Sequence, residues 1–390
     1  MITNRNRIIY AAFCAVIQRK AILLVCLALC MLGLSHSARA EEAHTITFDA
    51  PGAGTGAGQG TFAYSINPQG EIAGFYLDEN NVYHGFLRSK SGEITAFDVL
   101  GAGNAAFQGT LAFGSNPEGT IAGFYFDSSY VVHGFLRHPN GAISTIDVSG
   151  AGGTYAANIN PAGVIGGDYF DASYVQHAYM RAPDGKITTF DAPGAGTGAS
   201  QGTFTGFLDC LNPRGAMTGY YSDASNLFHG YVRAPDGKIT TFDAPGAGTG
   251  AYQGTVPAGI DPAGTITGQY TDASNVSHGF VRAGHGDGDI IDVNVPGAGT
   301  GAGQGTYPGY INTRGDIVGQ YLDDGDVYHG FLRSKSGEIT RFDVSGAGTG
   351  AYQGTIPNSS NAAGGMTGYY VDASNVAHGF LKIDRKEDSH

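Results

Sequence analysis

Seven Asp/His pairs at a fixed separation of six residues are the most regular polar feature of the chain: Asp78/His84, Asp127/His133, Asp171/His177, Asp223/His229, Asp272/His278, Asp323/His329 and Asp372/His378. An imidazole beside a carboxylate is the working unit of general acid–base catalysis and a common metal-ligand pair. Seven copies would then mean seven sites. The same pair can instead be a hydrogen bond that fixes local packing. Repetition favours that second reading. A catalytic site needs asymmetry and several convergent groups, whereas a repeated fold needs the same bond in every unit. The pairs are therefore read as scaffold, and no catalytic residue is assigned.

A second acid recurs as Asp49, Asp98, Asp147, Asp191, Asp243 and Asp343, each ahead of a Gly-rich stretch; in one unit Asp292 or Asn294 takes its place. Calcium takes carboxylate and carbonyl oxygens, but one carboxylate is too few for a tight site. These acids read as turn caps. Asp287, Asp289 and Asp292 alternate in a two-residue insertion, yet the twelve-residue calcium-loop pattern is incomplete there. They read as a solvated acidic turn, with calcium as the one ion they would take; otherwise no cofactor is expected. The Gly-rich stretches (51–60, 193–202, 245–254, 296–305, 346–354) have Gly-x-Gly-x-Gly spacing but no following Lys-Ser/Thr and no helix start. A phosphate cradle is excluded on those grounds. Tyr76, Tyr125, Tyr169, Tyr221, Tyr270, Tyr321 and Tyr370 could stack on sugars. Large aromatics mostly bury, so they are assigned to the core.

The elements that must position these residues repeat with them. Successive histidines are 49, 44, 52, 49, 51 and 49 residues apart. In residues 61–99, four short runs rich in β-formers alternate with tight turns such as Asn67-Pro68-Gln69-Gly70 and Ser89–Gly92. These are four strands, A to D. No helical period appears, and the Gly count of 64 opposes helices. The Gly-rich stretch is altered at 101–109 and cut short at 150–153, which accounts for the 44-residue gap. The last unit stops after strand C, while a D-like run, Thr45–Asp49, precedes the first. The expectation is an all-β chain: a seven-bladed β-propeller of four-stranded antiparallel blades, closed by the N-terminal strand pairing with the C-terminal blade. A linear β-solenoid would have no use for the displaced strand.

The pattern Gly-x-Tyr/Phe-x-Asp, then His-Gly-Phe-Leu-Arg, a Gly turn and a strand ending in Phe-Asp resembles the HAF-family bacterial extracellular repeat over nearly all of residues 45–383. The third unit departs from it with His177-Ala178-Tyr179. The plan is more distantly similar to kelch and WD-repeat propellers, without their signature residues. The resemblance implies a propeller-type repeat and says little about activity.

Residues 1–40 differ from the rest. They carry Arg5, Arg7, Arg19, Lys20 and Arg39, no acid, an apolar run Ala21–Leu34 and the small-x-small triplet Ala38-Arg39-Ala40. This reads as a secretory signal peptide, followed by one domain at 41–390 of seven ~49-residue repeats. An uncleaved anchor is the competing reading, opposed by an apolar run of 14 residues. Of 21 basic residues, the five there leave 16 against 34 acids, a net charge of −18. That excess disfavours nucleic acid and anionic membranes as partners. Of four cysteines only Cys210 lies beyond the signal, so no internal disulfide forms there; it reads as a small apolar core residue. The expected protein is an exported monomer, periplasmic or extracellular, with no membrane span once the signal is removed. It would be a binding or scaffolding module for a protein or carbohydrate ligand, held by the loops at one face or by the channel. The alternative is an extracytoplasmic polysaccharide-active lyase or hydrolase with charged residues converging in the central channel.

Overall fold

The computed structural model describes residues 44–206, 209–284 and 288–383; the expected signal at 1–40 and Asp287 lie outside them. Every regular element among the described residues is a β-strand, 28 in all. No helix there is long and apolar enough to cross a membrane. The first strand, β1 (His44–Phe48), is followed by an antiparallel meander of β2 (Gly60–Ile66), β3 (Ile72–Leu77), β4 (Tyr83–Arg88) and β5 (Ile94–Phe97). These are strands A, B, C and D of the first set, 60–97. Five further sets repeat the meander at 109–146, 153–190, 202–242, 254–293 and 305–342. The seventh, 354–383, supplies strands A to C only. Its last strand, Ala377–Ile383, takes β1 as an antiparallel fourth member, with Thr47 opposite Phe380.

Each part of the His-Gly-Phe-Leu-Arg run has a packing reason. Phe86 and its counterparts Phe135, Phe280, Phe331 and Phe380 are fully buried, as are Tyr179 and Tyr231 in the other two sets. Such a ring contributes roughly 1.5–3 kcal/mol through burial. Gly74 on strand B leaves the room: a Cβ there would lie 2.9 Å from the Phe86 ring. Gly85 does the same for the D-strand ring of Phe97, 2.7 Å from where its Cβ would be. The D-strand ring of one set then meets the core of the next, as Phe48 packs edge-on to Phe86 at 6.2 Å and Phe97 to Phe135 at 6.1 Å. Arg88 completes the run by lying 4.9 Å over Phe48, and Arg137 repeats this over Phe97.

Hydrogen bonds tie set to set. Thr61 Oγ1, fully buried at the start of strand A, accepts from Ala50 N at 2.9 Å, and the equivalent Thr does so in all seven sets. At the A–B turn, Asn67 Oδ1 accepts from the amides of Gln69 (3.1 Å) and Glu71 (2.9 Å), while Gly70 takes a φ of 85°. The same residue type also reaches across: Asn160 Nδ2 donates to Asn212 O, Asn212 to Asp261 O, and Asn361 to Asn67 O. The last of these joins the seventh set to the first. Ala377 N → Gln59 O (2.9 Å) and Asn358 Nδ2 → Ala63 O (2.8 Å) join them as well.

Candidate functional site at the loop end

Strand A begins after the D–A loop, and strand B ends at the B–C hairpin. All D–A loops and B–C hairpins therefore lie at one end of the strands, and the A–B and C–D turns at the other. The repeated histidines stand at the loop end on strand C. Each stacks on the cross-strand tyrosine of strand B: His84 on Tyr76 with centroids 4.9 Å apart, and likewise in the other six sets. Six of these tyrosines are buried and Tyr169 half-buried, so they are not free platforms.

The histidine's short contact differs from the pairing expected by sequence. His84 Nδ1 lies 3.0 Å from both carboxylate oxygens of Asp98, the residue just past strand D. The equivalents are His133–Asp147 (2.8 Å), His177–Asp191 (2.9 Å), His229–Asp243 (2.9 Å), His329–Asp343 (3.0 Å) and His378–Asp49 (2.9 Å). In the sixth crossover Asn294 fills the place at 3.2 Å. The Asp six residues earlier faces Nε2 instead. It reaches hydrogen-bond range only for Asp272–His278 (3.2 Å) and Asp323–His329 (3.4 Å). Asp78, Asp127, Asp171, Asp223 and Asp372 stand 3.6–3.8 Å away. The reason is local: Oδ1 of Asp78 is committed to the amides of Asn80 and Val82, both at 2.8 Å, which shape the hairpin. The D-strand acid bonded to Nδ1 raises the His84 and His329 pKa values, with burial partly opposing. Because the two carboxylates flank opposite ring nitrogens, they do not converge on one ion. Among the described residues no group of three His, Cys, Asp or Glu side chains could hold a metal. Of the acidic-turn candidates, Asp289 is exposed and Asp292 accepts from Tyr270 Oη at 3.1 Å.

The Gly-rich loops are rigid links. Gln59 Oε1 accepts from Gly56 N (2.9 Å), and its Nε2 donates to Glu79 O (3.1 Å) and Asn81 Oδ1 (3.0 Å). Gln201, Gln253 and Gln353 repeat all three bonds. Each loop also grips the hairpin of the preceding set through paired left-handed residues: Phe107 N donates to Asn81 O (2.7 Å), and Tyr252 N to Asn226 O (2.7 Å). Glycine suits that conformation, yet large aromatics hold it at five positions. Phe107, Tyr130, Tyr174, Tyr252 and Tyr352 have φ of 62–64°. All five are exposed, Tyr252 at 68% and Phe107 at 56%. Bulky residues with positive φ are strained outliers, and such strain gathers at functional sites.

Two half-buried acids stand away from the histidines. Asp168 stands on strand B of the third set, where the others carry Phe75, Phe124, Tyr220, Gln269, Gln320 and Tyr369. Burial pushes its pKa up to about 7, while Thr205 Oγ1 donates to it at 2.8 Å. Asp209 borders a cavity of about 50 Å³ with Ser65, Ser115, Asn158, Tyr310 and Ser359, and burial holds its carboxyl well above the usual range. Room for a few waters is no room for a sugar ring. Cys210 is fully buried and its thiol is pushed up by burial, as an inert core residue would be.

No protein-family model and no curated protein matches the chain. Solved structures do. The beta-propeller domain of the Trilobed protease from Pyrococcus furiosus, described as having an open velcro topology, matches with a TM-score of 0.51 at 10% identity over 82% of this chain and 95% of that one. An ancestral GH74 enzyme gives 0.49 at 10% identity, covering 87% and 51%. AofleA from Arthrobotrys oligospora gives 0.48 at 14% identity, covering 79% and 92%. At such identities the likeness speaks for fold alone: this is a propeller-type repeat fold.

Proposed function

We propose that the chain is an exported seven-bladed β-propeller of the HAF-repeat type, closed by β1, and that it works as a non-catalytic binding module. The count of seven blades is supported by seven four-stranded sets, and closure by the bonds that join the seventh set to the first. The observation that carries the binding reading is the set of exposed aromatics held in left-handed loop conformations at one end of the blades. Such rings give large contact area at little entropy cost and stack on sugars or grip peptide side chains. The acidic balance directs them to neutral or basic ligands. The rim histidines and their acids belong to the scaffold on this reading.

An enzyme would need convergent carboxyl groups beside a substrate-sized space. Asp209 borders a cavity too small for one, and the half-buried Asp168 is held by Thr205 of the next set at 2.8 Å. Glycan and peptide arrays probed with the purified chain test the proposal. Saturable binding to a ligand that is recovered unchanged supports it. Cleavage of a polysaccharide, abolished by Asp209→Asn, overturns it in favour of the lyase or hydrolase.

A further inference from the structure

We propose that Tyr328, Tyr352 and Asp326, at the junction of the sixth and seventh sets, form a site for a small-molecule ligand carrying a quaternary ammonium group. Three junctions carry two aromatic rings at the loop end, one on the first residue of strand C and one at the left-handed loop position. Tyr83 meets Phe107 with centroids 6.4 Å apart and planes at 55°, and Phe228 meets Tyr252 at 6.2 Å and 63°. Tyr328 and Tyr352 hold the same two positions. Main-chain bonds fix them there: Tyr328 N donates to Gln353 O at 2.8 Å, and Tyr352 N to Asp326 O at 2.6 Å. Tyr352 is 36% exposed and Tyr328 half-buried, so both offer surface to solvent.

Charge sets this pair of rings apart. The left-handed hairpin residue is Asn81, Tyr130, Tyr174, Asn226, Asn275 or Asn375 in the other six sets, and Asp326 here. Asp326 is half-buried, and Gln304 Nε2 donates to its Oδ1 at 2.9 Å. Its charge reaches both rings. Burial raises the phenol pKa of Tyr352 and Asp326 raises it further; Tyr328 is raised by burial first and then by its neighbours, Tyr352 and Asp326 among them. Asp323 and the exposed Asp324 share the hairpin. The one Lys or Arg of the set at this end, Arg341, donates to Pro296 O at 2.8 Å. Two aromatic rings beside a carboxylate attract a cation. A primary ammonium would turn N–H donors toward rings that cannot match them, whereas an alkylated one has no donor to satisfy. The hairpin acids oppose a phosphate, so the occupant is a free ammonium compound and not a phosphocholine headgroup.

The inference deepens the binding-module reading at one of its aromatics, Tyr352, and rests on it there. The test titrates choline chloride into the full chain by calorimetry, beside the neutral alcohol in which carbon replaces the nitrogen of choline. Saturable one-to-one binding of choline is expected, at least tenfold tighter than the alcohol and tighter than phosphocholine. Asp326→Asn installs the residue that Asn81 and Asn226 supply in other sets, and should weaken choline at least fivefold with the melting temperature held. Tyr352→Ser, matching Ser200, should do the same. Asn226→Asp puts a carboxylate beside Phe228 and Tyr252, and should raise the stoichiometry from one to two. Absent choline binding, equal binding of the alcohol, or binding unchanged in both Asp326→Asn and Tyr352→Ser overturns the proposal. Array ligands bound through Tyr252 with no choline signal would sink this inference alone and leave the binding-module reading standing.

Discussion

Replacing His84 with Ala tests the role of the rim network. The imidazole loses two interactions of known geometry: the Nδ1 bond to Asp98 at 3.0 Å and the stack on Tyr76 at 4.9 Å. A hydrogen bond to a charged group contributes about 1.5–3 kcal/mol. Asp98 is 53% exposed, so solvent screening cuts this to about 1 kcal/mol. The stack adds about 0.5–1 kcal/mol. The expected loss is therefore about 1.5–2 kcal/mol, and it should depend on pH. The bond to Asp98 raises the His84 pKa in the folded state. Stability gained from a raised pKa is fully present below the unfolded value, about 6.5, and fades as pH rises through the folded one. The deficit of His84→Ala should thus be largest near pH 5.5 and smallest near pH 9. Urea unfolding at both pH values, followed by tyrosine fluorescence since the chain has no Trp, measures it. A deficit that is equal at the two pH values, or larger at pH 9, refutes the claim that the bond to Asp98 raises the pKa of the ring.

Three further outcomes follow from the packing and the loops. Phe331→Ala empties a fully buried ring site and should cost about 3–5 kcal/mol in the same urea assay. Removing residues 41–49 strips the last strand of its partner and opens its edge; hydrogen exchange at Gly379 and Leu381 should quicken while exchange in the third set stays unchanged. Calcium titrated into the chain should release no heat, because no ligand set gathers among the described residues; a stoichiometric heat would reopen the acidic turn as a site.

Much of the fold was legible because each repeat unit states it again. The turn residues Asn67 to Gly70, the β-forming runs and the displaced strand 45–49 lead directly to the strand order and to the pairing of β1 with Ala377–Ile383. The histidine's nearer partner was legible in principle and missed. With Gly85 opposite Phe97, the register carries His84 to face Asp98, fourteen residues on, and the two-residue insertion moves that role to Asn294. Both spacings stand in the sequence, but the hairpin Asp six residues back is closer along the chain and drew the assignment. The Gln of each long loop, absent where the loop is short, was a readable signal for the link it makes. The exposed aromatics were not readable. Gly58, Phe107, Ser200, Tyr252, Gly303 and Tyr352 share one loop position, and no residue pattern announces that it is left-handed. Asp168 and Asp209 owe their shifted pKa values to burial by residues far away in sequence.

The central claim separates a binding face from a scaffold, and one paired titration tests it. With a ligand drawn from the arrays, calorimetry and melting are measured together on the wild-type chain, Tyr252→Ser and His229→Ala. The account predicts that Tyr252→Ser weakens binding at least fivefold at an unchanged melting temperature, while His229→Ala lowers the melting temperature and leaves affinity within twofold. Binding lost in His229→Ala at an unchanged melting temperature, with Tyr252→Ser silent, would contradict it and return the histidines to the site.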